Sequence, residues 1–562
     1  MLSRFQSEQQ RPFVSIRAQC ASCISPGRTR LVLVRCGMAV AIVATVAAIL
    51  LHLISFTNAG GLWRDEVSSA NMATLPSLQT MWETLPHDSF PILFPAVTRV
   101  WSVTVGETDI RLRSLGLVIG LLFLASLWIA GWIIWRGPPL LSLTLFALNV
   151  MAIRYGDSVR AYGLAAACIV LTIAATWRFV ETPTPSGGIT AAVMATLSVQ
   201  ALYQNAVFVL AICVAGCLKH LLQRHLVPAL KVLAIGVVPA LSLTPYIRPI
   251  LRAQDWWILS KYGFTLQLIG NNISSLTGHP LGVFTYVWAL LVVAAVGLGI
   301  QRAISRTSTI DEENRQDPTL FATVALVLGL TGFGLFLVIA KLPTQPWYFF
   351  PAIGFAVVCC DAILSGTHWS VRIGVLIAAV TVVVLAFPAG LSELKFRQTD
   401  GDLLAWRLSE LAGREDLIIV NPWYCDLTFS RYYRGTAPWT TLPGFEDYRY
   451  PRYDLFKLKM QLEHPAQPVL DRVAATLRSG HMVWVVGWLP AVRFGITRPQ
   501  DLPPAPHGPS GWLDEPYSET WGAQLSYLIA THTQRIALVP DPINSRVNPL
   551  EDMQLIVATG WR

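Results

Sequence analysis

LRSLGLVIGLLFLASLWIAGWIIW, residues Leu112 to Trp135, carries a single charged side chain, Arg113, in an otherwise apolar run. A helix needs roughly 20 apolar residues to cross about 30 Å of hydrocarbon. This stretch is long enough, and Phe321 to Ala340 repeats the pattern. Lipid offers backbone groups no hydrogen-bond partner, so such spans must be helical. Across all 562 residues only 14% are charged and 53% are hydrophobic, with a mean hydropathy of +0.49, which excludes an ordinary soluble globular protein.

Apolar length and basic flanks place helices near 31–57, 111–135, 138–154, 161–180, 188–203, 204–218, 226–247, 280–300, 319–340, 346–365 and 371–391, about eleven crossings. The first 35 residues hold Arg4, Arg11, Arg17, Arg28, Arg30 and Arg35 against Glu8, so residues 1–30 are expected to be a cytoplasmic basic tail. The run Leu31 to Thr57 is too long for a signal-peptide core and lacks a small-residue cleavage site; it reads as a retained first span. An odd number of crossings then puts the C-terminus outside. Arg136, Lys219 with Arg224, Arg302 with Arg306, and Arg372 fall on the inner side, although Asp311, Glu312, Glu313 and Asp317 offset the arginines of one inner loop. The net charge of +8 is accounted for by these helix ends; no basic stripe interleaved with aromatics marks a nucleic-acid surface. Phe90 to Gly106, interrupted by Pro91, Pro95 and Arg99, reads as an amphipathic segment in the interface. The Cys20-Ala21-Ser22-Cys23 spacing has no second pair to complete a zinc site, and most other cysteines lie in apolar segments, so neither metal nor disulfides are expected there.

Beyond residue 391 the composition changes. Charges, prolines and tyrosines increase, and β-rich runs at Leu417–Val420, Met482–Val486, Ile536–Val539 and Leu555–Ala558 are separated by helical stretches such as Asp402–Leu411 and Val469–Arg478. Residues 392–562 are therefore expected to form an extracytoplasmic α/β domain after a membrane domain spanning 31–391. It holds no GxGxxG and no P-loop. Pro499 to Pro516 reads as a long loop.

Ionisable residues gather at two outer loops: Arg64, Asp65, Glu66, His87 and Asp88 in the first, Arg154, Asp157 and Arg160 with Tyr155 and Tyr162 in the second. Charges beside lipid are costly unless paired or used. Two adjacent carboxyls disfavour double ionisation, which suits one of them to act as a base. A guanidinium such as Arg64 or Arg160 offers a planar fork suited to phosphate. Asp and Glu also favour the first turn of a helix, and Val67 to Leu75 can be helical, so spacing alone leaves capping and catalysis both open for Asp65-Glu66.

The aromatic-x-Asp-Glu element Trp63-Arg64-Asp65-Glu66, the later Tyr155-Gly-Asp-Ser-Val-Arg160-Ala-Tyr162 and the entry Asp109-Ile-Arg111-Leu-Arg113-Ser-Leu resemble those of GT-C glycosyltransferases. The specific group is the glycosyltransferase 39-like family of protein mannosyltransferases, aminoarabinose transferases and rhizobial galacturonosyl transferases. The similarity covers roughly residues 30 to 220, and the later helices by hydropathy only. It implies a GT-C-type fold with Asp65 as catalytic base and with Asp157, Arg160 and Tyr162 as the family's second element. Where many relatives read Asp-Pro-His-Pro-Pro-Leu, this chain reads Asp88-Ser89-Phe90-Pro91-Ile92-Leu93, so Phe90 stands for the usual His. His87 is the nearest substitute, displaced by three residues. In a later outer loop, where relatives show Arg-Tyr, Trp347-Tyr348 follows Lys341, either a phosphate ligand or a snorkelling helix-end lysine.

The resemblance implies inverting transfer of a sugar from a polyprenyl-phosphate donor to an extracytoplasmic glycan, lipid or protein, in the inner cell membrane. Arg160, Lys341 and Arg64 would face the donor phosphate, Asp65 would take the acceptor proton, and Glu66 would orient the acceptor or share that proton. Asp88 and His87 would support. A divalent metal would have only Asp65, Glu66 and Asp157 to hold it. The competing readings are a flippase for lipid-linked sugars and a non-enzymatic envelope assembly protein. Against the flippase, the charges cluster on one face and no inverted repeat is evident. Trp423, Tyr424, Tyr432, Tyr433, Trp439, Tyr448, Tyr450 and Tyr453 could stack sugars or pack the domain's own core.

Overall fold

The computed structural model describes residues 26–88, 90–254, 265–279, 281–306, 317–341, 344–491, 497–507, 513–540 and 545–562. Most of the basic tail, the Cys20/Cys23 pair and the acidic Asp311 to Glu313 run lie outside them. The membrane domain comprises α1 (Pro26–Asn58), α2 (Arg64–Ala73), α3 (Leu78–Thr84), α4 (Leu93–Thr104), α5 (Asp109–Ile134), α6 (Val150–Gly156), α7 (Tyr162–Glu181) and α8 (Pro185–Ala201). It continues with α9 (Asn205–Leu222), α10 (Leu226–Ser242), α11 (Ile247–Gln254), α12 (Leu266–Thr277), α13 (Phe284–Arg306), α14 (Thr319–Ala340), α15 (Phe350–Ser365) and α16 (Trp369–Glu393). Among the described residues, nine helices are long and apolar enough to cross a bilayer.

Two further segments of the membrane domain are less regular. Helix α8 has 17 residues, about 25 Å at 1.5 Å per residue, opened by the Thr184 side chain, which accepts from Gly187 N, and by Pro185. The other, expected as one helix over 138–154, is broken. A six-residue π turn, Ser142–Ala147, precedes α6, whose N-terminus is capped by the Asn149 side chain accepting from Ala152 N. At its start the buried Asp361 carboxylate accepts from Leu141 N at 3.1 Å, Ser142 N at 2.9 Å and the Ser142 hydroxyl at 2.7 Å, which satisfies amides that a regular helix start leaves orphaned. The segment returns flush against α5. A methyl group at Gly131 would lie 2.6 Å from the Gly137 carbonyl, and one at Gly116 only 1.8 Å from that of Asp157. These two segments lie where the sequence places two further crossings, beside the nine helices long and apolar enough to cross a bilayer among the described residues.

At the membrane face opposite the C-terminal domain, Arg136 lies 3.9 Å from Glu181, Arg302 lies 3.4 Å from Asp317, and the Lys219 ammonium donates to the Asp317 carbonyl at 3.3 Å. Phe90 to Gly106 contributes α4, packed between α2, α5 and α8.

The C-terminal domain contains strands β1 (Phe396–Arg397), β2 (Leu417–Asn421), β3 (Trp439–Thr441), β4 (Val483–Gly487), β5 (Thr533–Val539), β6 (Arg546–Val547) and β7 (Gln554–Trp561). Its helices are α17 (Gly401–Leu411), α18 (Asp426–Tyr432), α19 (Tyr453–Met460), α20 (Gln467–Arg478) and α21 (Glu515–His532). Five strands form one sheet in the order β3-β2-β4-β7-β5, with β3, β2 and β4 parallel and β7 antiparallel to both neighbours. Strand β2 is buried along its whole length because both sheet faces are covered. Ile418 and Val420 pack with Leu404, Leu408 and Phe429 of α17 and α18; Leu417 and Ile419 pack with Phe456, Val473 and Leu525 of α19, α20 and α21. The short strands β1, β3 and β6 carry too few residues to read from sequence, and α21 begins where the proline-rich loop was expected to end.

Candidate active site

Six consecutive residues after α1 are held through their backbones by side chains from elsewhere. The Gly60 carbonyl accepts from Arg113 Nε at 2.8 Å, and the Gly61 carbonyl accepts from Arg113 Nη2. Leu62 N donates to Tyr432 Oη at 2.6 Å, Trp63 N to Glu66 Oε2 at 3.3 Å and Arg64 N to Glu551 Oε1 at 2.9 Å. The Asp65 carbonyl accepts from Arg160 Nη1 at 3.2 Å. Gly60 has φ +67, a left-handed conformation that favours glycine, and the Arg397 guanidinium lies against it.

The adjacent carboxylates are divided. Glu66 is 0% exposed, and four donors converge on it: Arg113 Nη1 at 3.2 Å and Nη2 at 3.0 Å, Val159 N at 3.0 Å and Trp63 N. Bonded back to the residue before α2, Glu66 takes the capping role that spacing had left open. Its oxygens are already used, which leaves it no means to orient an acceptor or share a proton. The Asp65 side chain, in contrast, keeps 26% of its surface exposed, and its nearest cation is Arg64 Nε at 3.8 Å. Among the described residues no group donates a hydrogen bond to its carboxylate.

Arg160 is the buried cation beside Asp65. Its Nη1 lies 3.4 Å from the Asp88 carboxylate and donates to Ser69 Oγ at 3.2 Å. Its Nε has no hydrogen-bond partner among the described residues. Burial works against its charge, and the carboxylates of Asp88 and Asp65 outweigh it, so its pKa lies above the ordinary arginine value. The guanidinium carbon sits 4.3 Å from the Phe90 ring centre, and Phe90 meets Tyr162 edge-on at 5.2 Å. Phe90, in the place of the expected histidine, is thus a cation–π platform under Arg160. The later outer loop reaches the site through Tyr348, 6.2 Å from Tyr162.

The remaining sequence candidates lie elsewhere. Asp157, at a helix end where it could face either the bundle or an aqueous cavity, is turned into the helix bundle, where both carboxylate oxygens lie 2.8 Å from His52 Nδ1 of α1. His87 lies against the C-terminal domain, 3.9 Å from Asp454 and 4.9 Å from the Tyr450 ring; burial lowers its pKa and Asp454 opposes the shift. It does not replace the missing histidine at Asp65. Lys341 is an exposed, left-handed C-cap of α14 with φ 48, and among the described residues no hydrogen bond or ion pair joins it to this cluster. Arg64 lies over Tyr424 at 4.4 Å and donates to the Leu550 carbonyl at 3.4 Å, so it addresses the C-terminal domain as well as Asp65. With Glu66 on Arg113 and Asp157 on His52, the three acids that could have held a metal do not converge. Among the described residues no group of three or more His, Cys, Asp or Glu does so.

The partners that sequence reasoning missed are remote in the chain. Arg113 alone carried a signal, as the one charge in an apolar span. Tyr432 and Asp109 stood out only as an aromatic of the C-terminal domain and as part of the entry to α5, not as partners of the first loop, and Glu551 and Arg431, which pairs with Asp109 at 2.7 Å, had no signal.

No protein-family model matches the chain, and no curated protein matches its sequence. Among solved structures, its fold is similar to that of ArnT from Cupriavidus metallidurans bound to undecaprenyl phosphate, at TM-score 0.46 and 12% identity, covering 79% of this chain and 92% of that one. It is also similar to the archaeal oligosaccharyltransferase AglB from Archaeoglobus fulgidus in complex with an inhibitory peptide and a dolichol-phosphate. That likeness has TM-score 0.44 and 11% identity over 80% of this chain and 69% of that one. For the arabinosyltransferase EmbB from Mycobacterium smegmatis the values are 0.34 and 14%, over 64% and 32%.

Proposed function

We propose that this chain is an inverting membrane glycosyltransferase that moves a sugar from a polyprenyl-phosphate donor to an acceptor hydroxyl at the face carrying the C-terminal domain. One observation carries the reading: the Asp65 carboxylate is without a hydrogen-bond donor among the described residues, while the backbone beneath it is clamped residue by residue. A carboxylate held in position yet chemically unused is what a general base requires.

In the reaction, Asp65 takes the proton of the acceptor hydroxyl as that oxygen attacks the anomeric carbon. The bond from that carbon to the phosphate oxygen breaks on the opposite side, inverting the centre, and polyprenyl phosphate leaves. Phosphate needs no separate acid to depart, so one base and positive charge suffice. Arg160 and Arg64, the cations nearest Asp65, supply that charge; exposed Lys341 is left for the donor as it approaches from lipid. Glu66, Asp88 and Tyr162 hold Arg113, Arg160 and Phe90 in place. The acceptor is an extracytoplasmic glycan, lipid or protein; the basic helix ends on the opposite face support a cytoplasmic N-terminus, and the membrane of the reading is the inner cell membrane.

Asp65→Asn in a membrane preparation tests the reading. Turnover of a polyprenyl-phosphate sugar should fall by about 10²–10⁴, the contribution usual for a general base, with protein level and thermal midpoint unchanged. Retained turnover sinks the assignment. A flippase would instead move the lipid without cleaving its sugar–phosphate bond.

A further inference from the structure

We infer that Glu551 is a positioning residue for Asp65, so that the C-terminal domain is a structural member of the active site; this rests on Asp65 being the base. Glu551 is 0% exposed and 487 residues from Arg64, whose amide donates to its Oε1 at 2.9 Å. That amide is one of the orphan donors of the first turn of α2, immediately before Asp65. A carboxylate is the favourable group at a helix N-terminus.

Glu551 is itself held. The Thr428 hydroxyl lies 3.1 Å from Oε1 and 2.9 Å from Oε2, and Glu551 N donates to the Asn548 carbonyl at 2.8 Å. Thr428 and Tyr432 are four residues apart, hence neighbours on α18. The one helix therefore orients Glu551 toward Arg64 N and presents Tyr432 Oη to Leu62 N. Tyr432 in turn donates to Asp109 Oδ2 at 2.6 Å, which ties α18 to the start of α5. Separating the domains would remove two of the six backbone restraints on residues 60–65 and strip a wholly buried carboxylate of its Arg64 partner. Those two restraints exist only while the domains are docked, so domain docking and the orientation of Asp65 are one equilibrium.

The full-length protein in detergent or nanodiscs tests this with Glu551→Leu, Glu551→Gln and Tyr432→Phe. Glu551→Leu should lower kcat about 10–100-fold, the scale of a misplaced catalytic group, with donor KM nearly unchanged. Glu551→Gln, whose amide oxygen still accepts from Arg64 N, should restore most of it. Amide hydrogen exchange over residues 60–68 should accelerate in Glu551→Leu and Tyr432→Phe and not in Glu551→Gln, a readout independent of turnover. Wild-type kcat in Glu551→Leu, or exchange unchanged at 60–68, overturns the inference. Should Glu551→Leu fail to accumulate, Tyr432→Phe, which removes a single oxygen, decides by the same two measurements. Persistent turnover in Asp65→Asn defeats the base reading alone, because the exchange result stands apart from it.

Discussion

Arg160 and Asp88 form an enclosed ion pair, 3.4 Å apart, beside the half-buried carboxylate of Asp65. Arg160→Ala removes the proposed phosphate charge and also breaks the buried ion pair with Asp88, which costs about 3–5 kcal/mol. The single variant should lose both thermal stability and donor affinity. Adding Asp88→Asn should recover the midpoint and leave the raised donor KM in place. Recovery of both would limit Arg160 to a structural role.

The Phe90 platform makes a smaller contribution. Phe90→Leu keeps the volume roughly constant and removes the aromatic face under Arg160, at a loss of about 0.5–2 kcal/mol. Arg160→Lys should be less sensitive to it, since an ammonium lacks the flat guanidinium. A double-mutant cycle in thermal unfolding measures the coupling, and a coupling near zero counts against the contact.

Glu66 and Arg113 should behave as structure. Glu66→Ala or Arg113→Ala each leaves a buried partner uncompensated and should lower stability by about 3–5 kcal/mol, well beyond any effect of Asp65→Asn. Comparing unfolding midpoints with turnover of the surviving folded fraction separates the two carboxylates.

Burial raises the Glu551 pKa from 4.5 to about 7, with Arg64 opposing. The unfolded chain releases this proton near 4.5 and the folded protein near 7, so between those values the folded state binds more protons. The contribution to stability is therefore complete below about pH 4.5 and is lost as pH rises through about 7. Midpoints recorded across that window should fall with rising pH at this site, and Glu551→Gln should flatten the slope. An identical slope in the variant would assign it to other groups.

Gly116→Ala places a methyl 1.8 Å from the Asp157 carbonyl, where backbone faces backbone and no flexible side chain can yield. Overpacking of this kind costs about 1–3 kcal/mol or more. The level of protein in the membrane and its unfolding midpoint should both drop, whereas Gly334→Ala, whose added methyl would meet open space, should be silent.

Hydropathy made the membrane domain legible because lipid imposes length and polarity on every span, and β2, β4, β5 and β7 were visible as β-rich runs. The return alongside α5 was drawn as one helix. Its break depends on Asp361, which reaches back from α15 to the amides of Leu141 and Ser142 and follows no local period. At the site, the motif around Asp65 and Arg160 was legible, and the division of labour within Asp65-Glu66 was not. Neighbours in sequence can face opposite environments, and which one faces Arg113 is fixed by α5 and by the amide of Val159. The partners of His87 and Asp157 were illegible for the same reason: Asp454 and His52 come from distant elements.

The separation of 487 residues between Arg64 and Glu551 has a meaning in biosynthesis. At about 5–20 residues per second, a ribosome needs roughly half a minute to a minute and a half to travel that distance. Throughout that interval the nascent first loop lacks its last anchor. A chain cut short before residue 551 would carry Asp65 without the partner that sets its direction, so catalytic competence would arrive late in synthesis.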